Sequence, residues 1–235
     1  MKVVREFSRF AHEYNKYNVI QKRVAKKLCA LLEEKSYGKI LDLGAGDGAI
    51  YDNLSKQKIV FSDFVALDFS QEMLDIHKNN KSIEKVCLDF NERNFSSVFK
   101  ANEFDLIISS SALQWSVNLS SVLQELSSLS NKFLFSFFTA NTFKTLHGII
   151  NINSPILKKE EILTSLDRFF DYELEVVEYK IDFTSVHDML RYIKKSGVSG
   201  GVKQLGYKEM KTLMLEYPLT YLEFEVIFIK VIQKK

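Results

Sequence analysis

Cysteine is nearly missing from this chain: Cys29 and Cys87 are the only two in 235 residues. That excludes a disulfide framework, and because each lies in an apolar stretch, both are expected as buried free thiols. The four histidines, His12, His77, His147 and His187, show no metal-ligand spacing with them, so no metal is expected. No apolar run reaches the length of a membrane span, and Met1-Lys2-Val3-Val4-Arg5-Glu6 lacks a signal-peptide core. The expectation is a cytoplasmic protein with no membrane partner. A formal charge of +2 carries no nucleic-acid signature, although local basic clusters can still meet an acidic protein. Internal repeats and low-complexity linkers are absent too. With 46% hydrophobic and 26% charged residues, a single domain spanning 1–235 can bury a real core.

Glycine is also sparse, nine in all, but three alternate within Leu43-Gly44-Ala45-Gly46-Asp47-Gly48. An apolar run, Lys39 to Leu43, leads into them, and the pattern predicts a strand turning into a helix past a bound ligand. Without a Cβ, Gly44 and Gly46 can take backbone angles closed to other residues and let a ligand touch the main chain. The spacing is G-x-G-x-G, not the dinucleotide G-x-G-x-x-G, so a pyrophosphate is not the first expectation. Asp42, just before the first glycine, would repel a phosphate and attract a cation such as an amino-acid ammonium. The plainer alternative is a turn that only closes a βα unit.

Two further strands end in acids. Phe64 to Asp68 runs into Phe69-Ser70-Gln71-Glu72-Met73-Leu74, where Ser70 is a good helix N-cap; Ile83 to Leu88 stops at Asp89-Phe90. In doubly wound folds an acid in the position of Asp68 accepts from ribose hydroxyls. Asp89 can accept an adenine amino proton while Phe90 covers the base. Single acids at strand ends are often turn residues, whereas three on successive strands point to a ligand at the carboxyl ends of the sheet. Phe104 to Ser109 is the fourth strand, followed by Ala112-Leu113-Gln114-Trp115, whose tryptophan either packs under the next helix or faces the site. Helical spacing covers Asn118 to Leu129, and Lys132 to Phe138 is an apolar fifth strand. Such alternation predicts a doubly wound, mostly parallel sheet.

Beyond Thr139 the pattern loosens. Helical segments near 142–150 and 158–169 lead to a long strand near Glu173 to Phe183, and Leu219 to Ile232 is expected to return at the sheet edge as the seventh. Ser185 to Lys195 reads as a helix, followed by a glycine-rich stretch from Gly197 to Gly206. The region 184–217 is expected to be a helical cap insertion. At the other end, residues 1–35 are expected to form a lid. Phe7, Phe10, Tyr14 and Tyr17 sit in a polar segment that something must cover. Ile20, Val24, Leu28 and Leu31 then define a helix whose other face carries Lys22, Arg23, Lys26 and Lys27, either solvated or a docking surface.

Strand by strand, these motifs resemble the class I S-adenosylmethionine (SAM)-dependent methyltransferases. The segments Phe7 to Tyr14, Asp68 to Leu74, Ala112 to Trp115 with Asn118-Leu119, Lys195-Ser196-Gly197, and Tyr217-Pro218-Leu219-Thr220-Tyr221 look in particular like the malonyl-acyl-carrier-protein O-methyltransferases of biotin synthesis. After strand five, Phe138-Thr139-Ala140-Asn141-Thr142-Phe143 departs from that family's glycine- and proline-containing turn.

The resemblance implies a Rossmann-like seven-stranded sheet and SAM as cofactor. SAM would be held by Tyr14, Asp42, Gly44, Gly46, Asp68, Phe69, Met73, Asp89, Phe90 and Ser109. It further implies methylation of the free carboxylate of a malonyl group carried by acyl carrier protein, with Tyr14 and Trp115 as candidates at the reacting centre. Gln114, Trp115, Arg191, Lys194 and Lys195 would meet the substrate or carrier. Methylation of a small free organic acid, or SAM binding without turnover, are the alternatives.

Overall fold

The structure is a computed structural model that describes residues 17–196 and 206–234. Tyr14, the aromatic residues before it, the glycine-rich stretch 197–205 and the side chains of Lys194 and Lys195 lie outside the described residues.

Seven strands form one sheet in the order β3-β2-β1-β4-β5-β7-β6. They are β1 (Ser36–Leu43), β2 (Val60–Asp68), β3 (Ile83–Cys87), β4 (Leu106–Ser110), β5 (Phe133–Phe138), β6 (Phe170–Asp182) and β7 (Tyr221–Lys234). β1 to β5 pair in parallel, while β7 runs antiparallel to both β5 and β6. The described helices are α1 (Val19–Ala30), α2 (Ala49–Lys56), α3 (Gln71–Ile76), α4 (Leu119–Ser127), α5 (Lys144–Ile149), α6 (Lys159–Leu166), α7 (Val186–Ser196) and α8 (Tyr207–Glu216).

Strand alternation divides the core in two. Ile40, Phe64, Ala66, Leu106, Ile108 and Leu134 join the cluster under α1 and α2. Their chain neighbours Leu41, Leu43, Val65, Leu67, Ile107, Phe133 and Phe135 join the cluster under α4 and α6 on the other face. Covering both faces is what makes these strands apolar without interruption. Ile20, Val24 and Leu28 of α1 are fully buried at four-residue spacing, and each such side chain contributes about 1.5–3 kcal/mol by leaving water.

Local signals act where they were read. Ser70 Oγ accepts from the Met73 N–H at 3.3 Å, and Asn118 Oδ1 caps α4 from the Ser121 N–H at 3.1 Å.

Three expectations are corrected. Cys29 is buried but Cys87 is exposed, because β3 is an edge strand with a single neighbour. The last strand is not at the edge: β7 lies between β5 and β6, as its run of buried residues from Leu222 to Ile229 demands. β6, mostly exposed along its length, takes the edge instead. The basic cluster on α1 is divided, since Lys27 Nζ sits 2.8 Å from Glu175 Oε1 and lies over the Phe228 ring. No helix among the described residues is long and apolar enough to cross a membrane.

Candidate active site

The sequence runs outward from β1 to β2 and β3, then returns to the other side of β1 as β4. Above the carboxyl ends of β1 and β4 the connections therefore part, and open α/β sheets bind ligands in the crevice so formed. A cavity of about 280 Å³ occupies this place.

The glycine turn forms its floor. Gly44, Gly46 and Gly48 have φ of 76°, 53° and 86°, left-handed values that favour residues without a Cβ. The Gly44 and Ala45 N–H groups donate to the Leu67 carbonyl at 2.8 and 2.9 Å, which fastens the turn to β2. A Cβ on Gly44 would stand 2.3 Å from the Ala112 Cβ, and one on Gly48 would meet the His77 ring at 2.8 Å. At Gly46 a Cβ would meet only the Met73 methyl, at 3.5 Å, so that position faces open space.

Of the residues expected around a cofactor, Gly44, Gly46, Asp68, Phe69, Met73, Asp89 and Phe90 line the cavity together, and Trp115 lines it from the β4 side. Asp42, Ser109 and Gln114 are buried and absent from the lining. Ser109 Oγ donates instead to the Leu43 carbonyl at 2.7 Å, and Gln114 Nε2 folds back onto the Ser111 carbonyl at 2.6 Å. Arg191, on α7, sits 3.5 Å from Asp188, away from the lining.

Each acid of the lining accepts hydrogen bonds from its surroundings. Asp68 takes the Gly46 N–H on Oδ2 and the Ser70 N–H on Oδ1, both at 2.9 Å. Asp89 Oδ1 takes the Asn91 N–H at 2.9 Å and its side-chain amide at 3.0 Å. Asn91 Oδ1 in turn accepts from the Val117 N–H at 2.7 Å, tying the wall after β3 to the wall after β4. Asp47 Oδ2 accepts from Asn18 Nδ2 at 2.9 Å.

Burial raises the pKa of Asp68, against the pull of its backbone donors. It raises that of Asp47 as well, partly offset by the Lys22 charge and the Asn18 hydrogen bond. Asp42 is the extreme case: both oxygens lack a hydrogen-bond partner, and burial, then the charges of Asp68 and Asp47, push its carboxyl far above the ordinary value. A cation at the turn would relieve all three.

Sequence reasoning missed the contribution of α1. Asn18, Gln21, Lys22 and Ala25 line the cavity, and their spacing of three, four and seven residues is one helix face, a polar stripe beside the buried one. It also missed Asn91, although Asp89-Phe90-Asn91 has the form of an Asx turn at a strand end.

Comparison with known proteins agrees with this geometry. The methyltransferase domain family matches residues 41–131, from β1 to just past α4. The YcgJ protein of Bacillus subtilis superposes with a TM-score of 0.67 at 14% identity, covering 91% of this chain and 99% of that one. The chain thus carries a methyltransferase domain on the class I SAM-dependent methyltransferase fold. Among curated relatives, the malonyl-[acyl-carrier protein] O-methyltransferase of Bacillus cereus is 28% identical over 217 residues, 83% of this chain and 79% of the relative. That of Brevibacillus brevis is 24% identical and covers 97% and 95%. The chain is a homologue of these two proteins over most of their length.

Proposed function

We propose that the protein methylates the free carboxylate of a malonyl group thioesterified to acyl carrier protein, giving the methyl ester. The observation that carries this reading is the state of the lining. Its three carboxylates, Asp47, Asp68 and Asp89, are each held by hydrogen-bond donors of the chain, and no histidine lines the cavity among the described residues. Among the described lining residues, then, neither a histidine nor a carboxylate without a hydrogen-bond donor stands ready as a base. When bound, SAM supplies a methyl group on a sulfonium, which a carboxylate, ionised at neutral pH, can accept without losing a proton. A hydroxyl acceptor must lose a proton, and an amine must first be in its neutral form. The names of the curated relatives point the same way.

The lining fits the cofactor. Gly44 and Gly46 leave the backbone open to its amino-acid end, where Asp42, unpaired beneath the turn, would be drawn to its charged form by the ammonium. Lys22 brings a positive charge to the described lining beside Asp47. Asp68 has acceptor capacity left for ribose hydroxyls, while Phe90 and Met73 give apolar cover and Asp89 an acceptor for the adenine amino group. Trp115 and Val117 border the acceptor side. Catalysis then consists of orientation and exclusion of water, effects that reach about 7–11 kcal/mol for orientation. Of the expected lid and cap, the described parts, residues 17–35 and 184–196 with 206–217, are suited to that exclusion.

The test compares malonyl-acyl carrier protein with free malonate. Methyl-ester formation on the carrier-bound form, with kcat/KM falling as salt rises, supports the reading. Equal turnover of both acceptors, insensitive to salt, would leave a methyltransferase of small acids; cofactor binding without turnover of either would leave a binding protein.

A further inference from the structure

α8, which leads into the Tyr217–Tyr221 segment, buries one residue of its length completely, Leu213. On the side facing water, Tyr207, Met210 and Met214 recur at three- and four-residue spacing, with Leu215 beside them. Tyr207 is 84% and Leu215 75% exposed, far more apolar surface than a solvated helix needs. The charges are sorted by face as well. Lys208 and Lys211 stand on this outer arc, whereas Glu209 and Glu216 share the opposite side with Leu213.

We infer that this arc of α8 is the surface on which the carrier protein docks, an inference that rests on the function proposed above. An acidic partner presenting an amphipathic helix would find apolar contact along Tyr207, Met210, Met214 and Leu215, cations at Lys208 and Lys211, and no carboxylate on the same face. The sorting of charge favours such a partner over a second copy of this chain, because an identical arc would bring lysine against lysine. The position is suitable too. α8 packs on α5 and α7. The Tyr192 ring of α7 stands 6.2 Å from that of Tyr17, whose neighbour Asn18 lines the cavity. A thioester arm from a carrier seated on α8 would thus enter over the α1 rim.

Two exposed double variants test this, Lys208→Glu with Lys211→Glu and Met214→Ser with Leu215→Ser, each assayed with malonyl-acyl carrier protein and with malonyl-pantetheine. Both are expected to lower kcat/KM for the carrier by about tenfold through KM, and to leave the small thioester within about twofold of wild type. Wild-type preference for the carrier that persists in both variants would overturn the docking surface while leaving the function intact. A wild type that methylates neither thioester would sink the function itself. Equal losses on both substrates would mean a structural role for the face. Likewise, a wild-type dimer in sedimentation that the variants dissolve, or wild-type retention on anionic phospholipid vesicles, would assign the face to another occupant.

Discussion

Gly44 and Ala112 meet where β1 and β4 part: a methyl group on the glycine would lie 2.3 Å from the Ala112 Cβ. The carboxyl end of β1 and the start of the β4 connection are therefore held at a separation that only glycine permits. Two costs combine in Gly44→Ala, the left-handed φ of 76° and the overlap, for a loss of about 2–5 kcal/mol of stability. Ala112→Gly in the same chain should recover the steric part and leave the conformational part. A thermal-melt cycle that shows strict additivity would mean that the two residues do not press on each other.

Asp42 sets a pH dependence. Its folded pKa is raised above the ordinary 3.8, so the folded chain holds this proton more tightly than the unfolded chain does. That contribution is complete below the unfolded value and is lost as pH rises through the folded one. In cofactor-free protein, Asp42→Asn should flatten the fall in Tm as pH rises above the ordinary carboxylate range, and be the more stable form at the upper end. In calorimetry at neutral pH the same variant should bind SAM more weakly. A Tm profile parallel to wild type would mean that Asp42 is solvated or paired in solution.

Asp68 holds the Gly46 and Ser70 N–H groups besides any ligand. Asp68→Ala should therefore cost both fold and binding, about 1–3 kcal/mol in stability from the stranded donors alone. Affinity measured without a parallel melt would overstate its part in recognition. An unchanged Tm with lost SAM binding would assign the carboxylate to the ligand only.

The loop after β5 is fastened from β7. Glu225 Oε1 accepts from Thr139 Oγ1 at 2.6 Å and from Asn141 Nδ2 at 3.0 Å. Glu225→Ala should free this loop and cost about 1–3 kcal/mol of stability from the stranded Thr139 hydroxyl, read as a lower Tm, while SAM affinity stays the same. An unaltered Tm would mean that the loop does not depend on Glu225.

Thiol chemistry separates the cysteines. Native protein should take up one alkylating group, slowly, at Cys87, whose exposed thiol is nevertheless pushed up in pKa by burial of part of its surface and by Asp68. Cys29, buried and pushed up by burial and by Asp42, should react only after unfolding. Mass spectrometry of native and denatured samples checks this, and rapid native labelling of Cys29 would contradict the packing of α1.

What the sequence made legible was local. The left-handed turn at Gly44 to Gly48, the cap at Ser70 and the cap at Asn118 are written within a few residues of where they act. The periods of 2 and 3.6 then place Ile40, Val24 and Leu123 on their elements. Features fixed by strand order stayed hidden: Cys87 sits in an apolar run, yet that run is an edge, and β7 is interior because its two flanking strands are both elsewhere in the chain. The candidate site was legible from β1, β2 and β3, each of which carries its acid beside its own strand end. Asn18 and Lys22 reach the cavity by the docking of α1 across the turn, a tertiary event with no local mark beyond the spacing of its polar stripe. Ser109 and Gln114 lie behind the lining, Ser109 with its hydroxyl on the Leu43 carbonyl of the neighbouring strand and Gln114 with its amide on the Ser111 carbonyl three residues back.

The place of β7 also fixes an order of assembly. β6 touches no strand but β7, so during synthesis the chain from β1 to β5 can close its parallel core while β6 waits without a partner. Only when Tyr221 to Lys234 has emerged can both be zipped in, and the same event brings Glu225 to Thr139. The described lining of the crevice, carried by α1 and by the connections after β1, β2, β3 and β4, can then be in place before β6 and β7 join the sheet.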